Sequence, residues 1–133
     1  MTAKKRTAPT PDSAPAPLTP AAFHILLALA DRDRHGYDIM REVQRQSGGR
    51  VKLGPATLYR TVAELLRSKW IEENDERPDP ELDDERRRNY ALTADGKRVA
   101  RAETQRFADL VRAAADKRLV GPRSAGVRWS GAS

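Results

Sequence analysis

Several features that mark particular protein classes are missing from this chain of 133 residues. It has no cysteine, which excludes a disulfide framework, a thiolate nucleophile and a cysteine-based metal site. Its two histidines, His24 and His35, are too few for a zinc site or a histidine-based catalytic pair. No apolar run reaches the roughly 18 residues that cross a bilayer, and no signal-peptide pattern opens the chain. We therefore expect a soluble cytoplasmic protein that binds no metal or cofactor and does not contact a membrane.

Charge, in contrast, is abundant and unevenly distributed. Charged residues make up 33% of the sequence, with a net charge of +6. Nine acidic residues crowd into residues 72–85, where Arg77 is the one basic residue. The rest of the chain is therefore strongly basic. A basic surface with one segregated acidic segment indicates a polyanionic partner that meets one face of the protein.

Composition divides the chain into a central domain and two tails. Residues 1–17 alternate proline and alanine with small polar residues, which predicts a disordered tail. Residues 121–133 are rich in glycine and serine and predict a flexible C-terminal tail. The segment between them, residues 18–120, is long enough for one domain with one modest core.

Hydrophobic periodicity predicts three helices in the first half of this domain. The first is capped by Thr19, has Pro20 at its first position, and runs through Ala30. It is apolar on most sides, so it should lie between other elements. The second spans about residues 37–47 and ends at two glycines. The third begins at a Gly-Pro pair and spans about residues 55–68, with its leucines pointing inward.

The second half of the domain changes from extended to helical periodicity. Residues 70–74 and 86–92 predict the two strands of a hairpin, and Thr93 caps a long last helix over about residues 94–119. Residues 51–53 offer a very short extended piece before the third helix. The predicted fold class is mainly α with a small β-hairpin: a winged helix-turn-helix over 18–92 and a C-terminal dimerisation helix over 93–120.

The third helix has an outward side suited to recognition of a duplex. That side and its flanks carry small residues, long cations and hydroxyl groups: Ala56, Ala63, Arg60, Arg67, Thr57 and Tyr59. An α-helix fits the major groove, where arginine binds guanine through two hydrogen bonds and threonine contacts a base edge. An ordinary solvated helix face with two arginines explains the same residues equally well. The helix alone leaves both interpretations open.

The predicted hairpin adds a second cationic element. Its second strand starts with three consecutive arginines: Arg86, Arg87 and Arg88. Because side chains alternate along a strand, at least one arginine points away from the core, where it can contact phosphates or a narrow minor groove. The alternative is ion pairing with the acidic residues 83–85, which contributes little stability. We expect a mixture of the two and favour phosphate contact.

Three segments resemble the PadR-type transcriptional regulators: HGYDIMREV (35–43), RVKLGPATLYRTVAELLRSKWIEE (50–73) and DERRRNYALTADGKRV (84–99). The resemblance covers roughly residues 18–115 and implies a winged helix-turn-helix protein that dimerises and usually represses transcription. It also implies that Tyr37, Thr57, Tyr59 and Arg60 approach DNA and that the arginine run occupies the wing. The single short C-terminal helix is similar to that of the smaller subfamily. We include two further cations among the predicted DNA-binding residues: Arg41, on the polar side of the second helix, and Lys52.

The last helix predicts a homodimer. Its apolar stripe, interrupted by Glu103 and Thr104, has nothing after it in the sequence to cover it, and an uncovered stripe would be an exposed patch. Pairing across a two-fold axis with help from the first helix would bury these residues: Phe23, Leu27, Val99, Phe107, Leu110, Val111 and Ala114. Two recognition helices about 34 Å apart then predict a roughly palindromic operator.

The sequence departs from the resembled subfamily at one place. Some small members carry a tryptophan on the last helix that helps bind flat hydrophobic drugs, whereas this helix has one aromatic residue, Phe107. A pocket for such drugs is therefore not expected. A small apolar effector stays open as a partner, although a dimer core is the more frequent explanation of such a stripe.

Two other classes of function compete with a DNA-binding repressor. A winged helix that has lost its DNA contacts would serve as a protein-interaction module, with the acidic segment as its surface. An enzyme is the weakest alternative, because the sequence contains no glycine-rich phosphate loop, nucleophile elbow or metal-ligand cluster. We predict no enzymatic activity.

Overall fold

The computed structural model describes residues 18–74 and 88–120. The predicted tails over 1–17 and 121–133, and the link over 75–87 with Arg86 and Arg87, lie outside the described residues. Within these two ranges, four helices and three strands follow one another: α1 (Pro20–Ala28), β1 (Arg34–His35), α2 (Gly36–Gln46), α3 (Pro55–Arg67), β2 (Ile71–Asn74), β3 (Asn89–Leu92) and α4 (Ala94–Asp116). This order of three helices, a hairpin and a long last helix confirms the predicted fold class.

Local sequence signals explain where the helices begin. Thr19 caps α1 by accepting a hydrogen bond from the Ala22 N–H at 3.1 Å, and Pro20 occupies the first position of the helix. Thr93 caps α4 in the same way, accepting from the Gly96 N–H at 3.0 Å. The predicted ends were less accurate, since α1 stops two residues and α4 three residues before the predicted boundary.

The sheet has three antiparallel strands in the order β1-β3-β2. Ile71 of β2 lies opposite Leu92 of β3, and Arg34 of β1 lies opposite Tyr90. The sequence predicted only the β2–β3 hairpin, because a strand of two residues has no periodicity that could reveal it. The predicted extended piece over 51–53 is not a strand, and its two apolar residues pack against the core.

The core lies around α1, as its apolar circumference predicted. Ile25 and Leu26 of α1 are fully buried, together with residues from the elements that surround them. The other fully buried large side chains come from α2, α3 and β2: Ile39, Val43, Leu58 and Ile71. Tyr90 of β3 is also buried, which seats the hairpin on the helices.

A buried arginine joins the end of α1 to the start of α2. The Arg34 side chain is 5% exposed, and its Nε donates to the Ala28 carbonyl at 2.7 Å. Its terminal nitrogens lie 3.0 Å from a carboxylate oxygen of Asp38, 3.3 Å from Asp31 and 3.7 Å from Glu42. Because a buried charge without partners is very costly, this ring of acceptors is what allows Arg34 to sit in the fold.

Candidate nucleic-acid interface

The outward face of α3 is open to solvent. Leu58, Val62 and Leu65 anchor the helix in the core, so the opposite side points away from the protein. We call the exposed residues on that side the α3 face: Ala56, Arg60, Ala63, Glu64 and Arg67. In residues 18–74 and 88–120, neither Arg60 nor Arg67 has an ion-pair partner. The α3 face therefore combines two cations that form no ion pair in these ranges with one carboxylate and with small side chains that permit close approach.

Tyr59, on the flank of α3, contacts the start of α2. Its ring lies so close to Gly36 that a Cβ at position 36 would overlap the Tyr59 hydroxyl. A larger residue at position 36 would have to displace the Tyr59 side chain, so this contact between the start of α2 and α3 favours glycine. Tyr59 is half-buried, as is Thr57 on the opposite flank. The structure thus gives Tyr59 a packing role that the sequence did not reveal, and its predicted DNA contact stays a prediction.

The first turns of α2 present an aromatic ring and a cation together. Tyr37 is 48% exposed, and the Arg41 guanidinium lies 5.8 Å from the centre of its ring. At this distance the two side chains form a cation–π pair, which holds the guanidinium at the surface. Lys52, in the segment between α2 and α3, is also exposed.

The described part of the wing contains one of the three predicted arginines. Arg88 precedes β3, and its Nε lies 3.1 Å from a carboxylate oxygen of Glu73 on β2. Both side chains are about half exposed. The alternative pairing with the acidic residues 83–85 lies outside the described residues and stays a prediction. An exposed ion pair of this kind is weak enough for a phosphate to replace the carboxylate.

The outer half of α4 exposes a row of apolar side chains. We call it the α4 stripe: Phe107 (45% exposed), Leu110 (60%), Val111 (37%) and the half-buried Ala114. On α1, Leu27 is also exposed, and the ring of Phe23 lies 5.1 Å from the ring of Phe107. Six of the seven predicted dimerisation residues are therefore at least partly accessible in a single protomer.

Val99 is the exception and corrects that prediction. It is 3% exposed and belongs to the core of the protomer itself, so no surface remains for a partner to cover. The first half of α4 packs on the protomer, whereas the second half extends beyond it. Glu103 also lies in the packed half, with 5% exposure. Its carboxylate accepts from the Leu18 N–H at 3.3 Å and from Arg106 Nε at 2.9 Å.

The pKa values of two residues near this surface, Glu42 and Tyr90, are shifted by their surroundings. Hydrogen bonds from Arg45, at 2.6 and 2.8 Å, lower the pKa of Glu42 on α2. The carboxylate therefore stays ionised and paired. Burial raises the pKa of Tyr90, which keeps this phenol neutral beneath the hairpin.

The described residues contain no group of three or more side chains that could hold a metal ion. Among their helices, none combines the length and the apolar character that crossing a bilayer requires.

Comparison with known proteins places these features in a family. The sequence matches the family model described as transcriptional regulator PadR-like over residues 25–102, more than half of the chain. No curated protein matched.

Several solved structures share the fold. A transcriptional regulator from Clostridium thermocellum is 21% identical and superposes with a TM-score of 0.58, covering 72% of this chain and 89% of that one. A PadR family transcription regulator from Clostridium difficile is 20% identical with a TM-score of 0.59, covering 72% of this chain and 95% of that one.

A complex structure of RosR-S1 from H. salinarum is 26% identical, with a TM-score of 0.56 and coverage of 76% and 82%. The helix order, the wing and the long last helix agree with the match to the family model. The chain belongs to the PadR-like family of transcriptional regulators.

Proposed function

We propose that this regulator is a sequence-specific DNA-binding homodimer that represses transcription in the cytoplasm from a palindromic operator. The observation that carries the proposal is the α3 face, where Arg60 and Arg67 are exposed, unpaired within the described residues and flanked by alanines. A helix surface of this kind fits the major groove, because small residues permit close approach and arginine reads guanine through two hydrogen bonds.

The other exposed cations would fix the register of α3 on the duplex. Arg41 and Tyr37 on α2, Lys52 before α3 and Arg88 at the wing are accessible and suited to phosphate oxygens. The start of α3 has no side-chain cap, and a helix N-terminus favours an anion at this end of the helix. Base contacts from the α3 face and phosphate contacts from its surroundings would then act together.

The α4 stripe supports the homodimer. Its residues are apolar and exposed, and Phe23 and Leu27 of α1 extend the same surface. A second copy with the same stripe would cover it across a two-fold axis. Two α3 faces would then meet successive major grooves about 34 Å apart, which requires an operator with two inverted half-sites.

The experiment is selection of duplexes from a random pool by the full-length protein, followed by footprinting. We expect an inverted repeat protected on both half-sites, with affinity that falls steeply as salt rises. The variant Arg60→Ala/Arg67→Ala should lose its preference for the selected sequence over other duplexes. Its control, Arg98→Ala/Arg112→Ala, removes two α4 arginines that are paired with Asp95 and Asp109.

Equal affinity for all duplexes would contradict sequence specificity. Absence of DNA binding together with tight, salt-independent binding to a protein would favour the interaction module. Reporter expression that rises when the operator is occupied would contradict repression.

A groove beside α4 supports the further partner, a small apolar effector. It has a volume of about 330 Å³ and an apolar floor with two cations among its lining residues: Leu27, Ala30, Leu92, Lys97, Ala100, Arg101 and Thr104. The fluorescent probe anilinonaphthalene sulfonate, which is apolar and anionic, should brighten on binding there. Ala100→Trp should abolish this signal and Ala113→Trp, at an exposed α4 position, should not. Equal signals in the two variants would argue against the groove.

A further inference from the structure

The end of α3 and the start of α4 are bonded directly to each other, although the wing separates them in the sequence. We call this contact the α3–α4 junction and define it by Lys69, Trp70, Thr93 and Gly96. On the α3 side, the Lys69 N–H donates to the Leu66 carbonyl at 3.0 Å and the Trp70 N–H donates to the Leu65 carbonyl at 3.1 Å. This pattern closes the helix as a Schellman motif.

Lys69 holds the left-handed conformation that the motif requires, with φ of 65°. Residues other than glycine adopt this conformation rarely, so the surrounding contacts must hold it in place. Those contacts are made by the carbonyls of the turn. The Lys69 carbonyl accepts from the Thr93 hydroxyl at 2.8 Å, and the Trp70 carbonyl accepts from the Thr93 N–H at 3.0 Å.

Thr93 therefore acts on both helices at once. Its hydroxyl donates to the end of α3 and accepts from the Gly96 N–H, which caps α4. A hydroxyl group is suited to this position because it is both a donor and an acceptor. Serine shares this property. Valine lacks both functions, and aspartate keeps only the cap.

Gly96 allows the backbones of α3 and α4 to approach closely at the junction. It is buried, and a Cβ at position 96 would overlap the Trp70 carbonyl oxygen. The backbone of α4 thus approaches the end of α3 as closely as glycine permits. The angle between α4 and α3 is therefore set by the contacts at the α3–α4 junction.

A small change in this angle produces a large displacement at the α4 stripe. At 1.5 Å per residue, Phe107 lies about 20 Å along α4 from the junction. A tilt of about 10° would move it by about 3.5 Å relative to α3, close to the 3.4 Å rise of one base pair. In a dimer paired through the α4 stripe, such a tilt would change the separation of the two α3 faces by a comparable amount.

We propose that Thr93 and Gly96 are positioning residues that set the half-site spacing of the operator. This inference rests on the proposed function, because spacing has meaning only for a dimer that binds two half-sites. Neither residue needs to touch DNA. Their effect would pass through the angle between α3 and α4 and would leave each half-site contact intact.

The test compares Thr93→Asp with the wild-type protein on a series of duplexes. Aspartate caps a helix well, so α4 should still form, but it cannot donate to the Lys69 carbonyl. The duplexes carry the selected half-sites at their original spacing, at one base pair more or less, and as a single half-site. Unfolding and sedimentation measurements on each variant check the fold and the dimer.

We expect wild-type protein to prefer the original spacing by about tenfold, because a wrong spacing forces the duplex to deform. Thr93→Asp and Thr93→Val should lose most of this preference while keeping their affinity for the single half-site. Thr93→Ser should restore it. The matched control is Thr19→Asp, which makes the same change at the cap of α1, where the hydroxyl accepts from the Ala22 N–H, and it should behave as wild type.

An unchanged spacing preference in Thr93→Asp would overturn the inference alone. An equal loss on all duplexes, or unfolding of both Thr93→Asp and Thr93→Val, would also overturn it, since the junction would then serve stability only. If the wild-type protein selects no duplex, the proposed function fails and the inference fails with it.

Discussion

The α3 face and the α4 stripe are both exposed in a single protomer, but they differ in chemistry and in how firmly the core anchors the helix that carries them. The α3 face has two cations, one carboxylate and two alanines on a helix whose other side is anchored by buried residues. The α4 stripe is apolar and lies on the half of α4 that extends beyond the core. Exposure alone therefore does not identify the kind of partner that a surface binds. Under the proposed function, the charge of each surface indicates the chemistry of its partner, a polyanion for the α3 face and a second apolar stripe for the α4 stripe.

The largest expected effect comes from placing a charge in the α4 stripe. Leu110→Glu should dissociate the dimer and weaken operator binding more than a hundredfold, because each dimer loses two buried leucines worth ~1.5–3 kcal/mol apiece. The protomer should still fold, since Leu110 is 60% exposed within it. Sedimentation equilibrium and operator titration measure the two losses.

Leu119→Glu is the control for this change. Leu119 is 77% exposed and lies after the end of α4, outside the stripe. A Leu110→Glu protein that remained dimeric would show that copies associate through some other surface.

The next effect concerns base recognition by the α3 face. Arg60→Ala should cost about 1–3 kcal/mol on the operator and relax the preference at one base pair, while binding to random duplex stays nearly unchanged. Titration of the operator and of its single-base variants provides the measurement. Arg112→Ala, which removes an exposed arginine paired with Asp109 on α4, serves as the control. Equal losses of affinity for specific and for random DNA would show that Arg60 does not contact a base.

A smaller effect is expected at the wing. Arg88→Gln should weaken binding to all duplexes alike and lower the slope of log affinity against log salt by about one, because one phosphate contact is lost. The control Arg98→Gln removes an exposed arginine paired with Asp95 on α4. If the slope stayed constant, Arg88 would remain paired with Glu73 in the complex.

The smallest effect involves neither surface and concerns pH. Hydrogen bonds from Arg45 hold the pKa of Glu42 below its ordinary value of 4.5. A lowered pKa stabilises the fold above the unfolded-state pKa, and this contribution is lost as the pH falls through the folded-state pKa. In Glu42→Gln, the drop in melting temperature between pH 7 and pH 3 should therefore be slightly smaller than in the wild type.

Glu72→Gln, at an exposed position of β2, is the control for acid denaturation. Identical melting curves for wild type and Glu42→Gln at both pH values would contradict the role of the Arg45 pair.

Sequence patterns predicted the helices and the hairpin well, because these elements have long periodic signals and strong caps such as Thr19 and Thr93. They also predicted which side of α3 would be outward, since its leucines recur at helical spacing. The confirmed fold class depends on these local signals.

Features that depend on distant partners escaped prediction. β1 has two residues, and Arg34 is buried because residues from α1 and α2 surround it. Glu103 looked like an interruption of an apolar stripe, yet it is buried because it accepts bonds from Leu18 and Arg106. Val99 looked like a dimer residue because periodicity places it on the same side as Phe107 and cannot show where the core ends. Gly96 gave no signal, since its importance depends on Trp70.

The α3 face makes no contribution to the hydrophobic core, which is built from the opposite side of the helix. Exchange of its residues should therefore cost little free energy of unfolding. Libraries randomised at positions 56, 60, 63 and 67 would yield folded proteins in high proportion. Such libraries offer a direct route to regulators retargeted to new promoters while the assembly of the parent is retained.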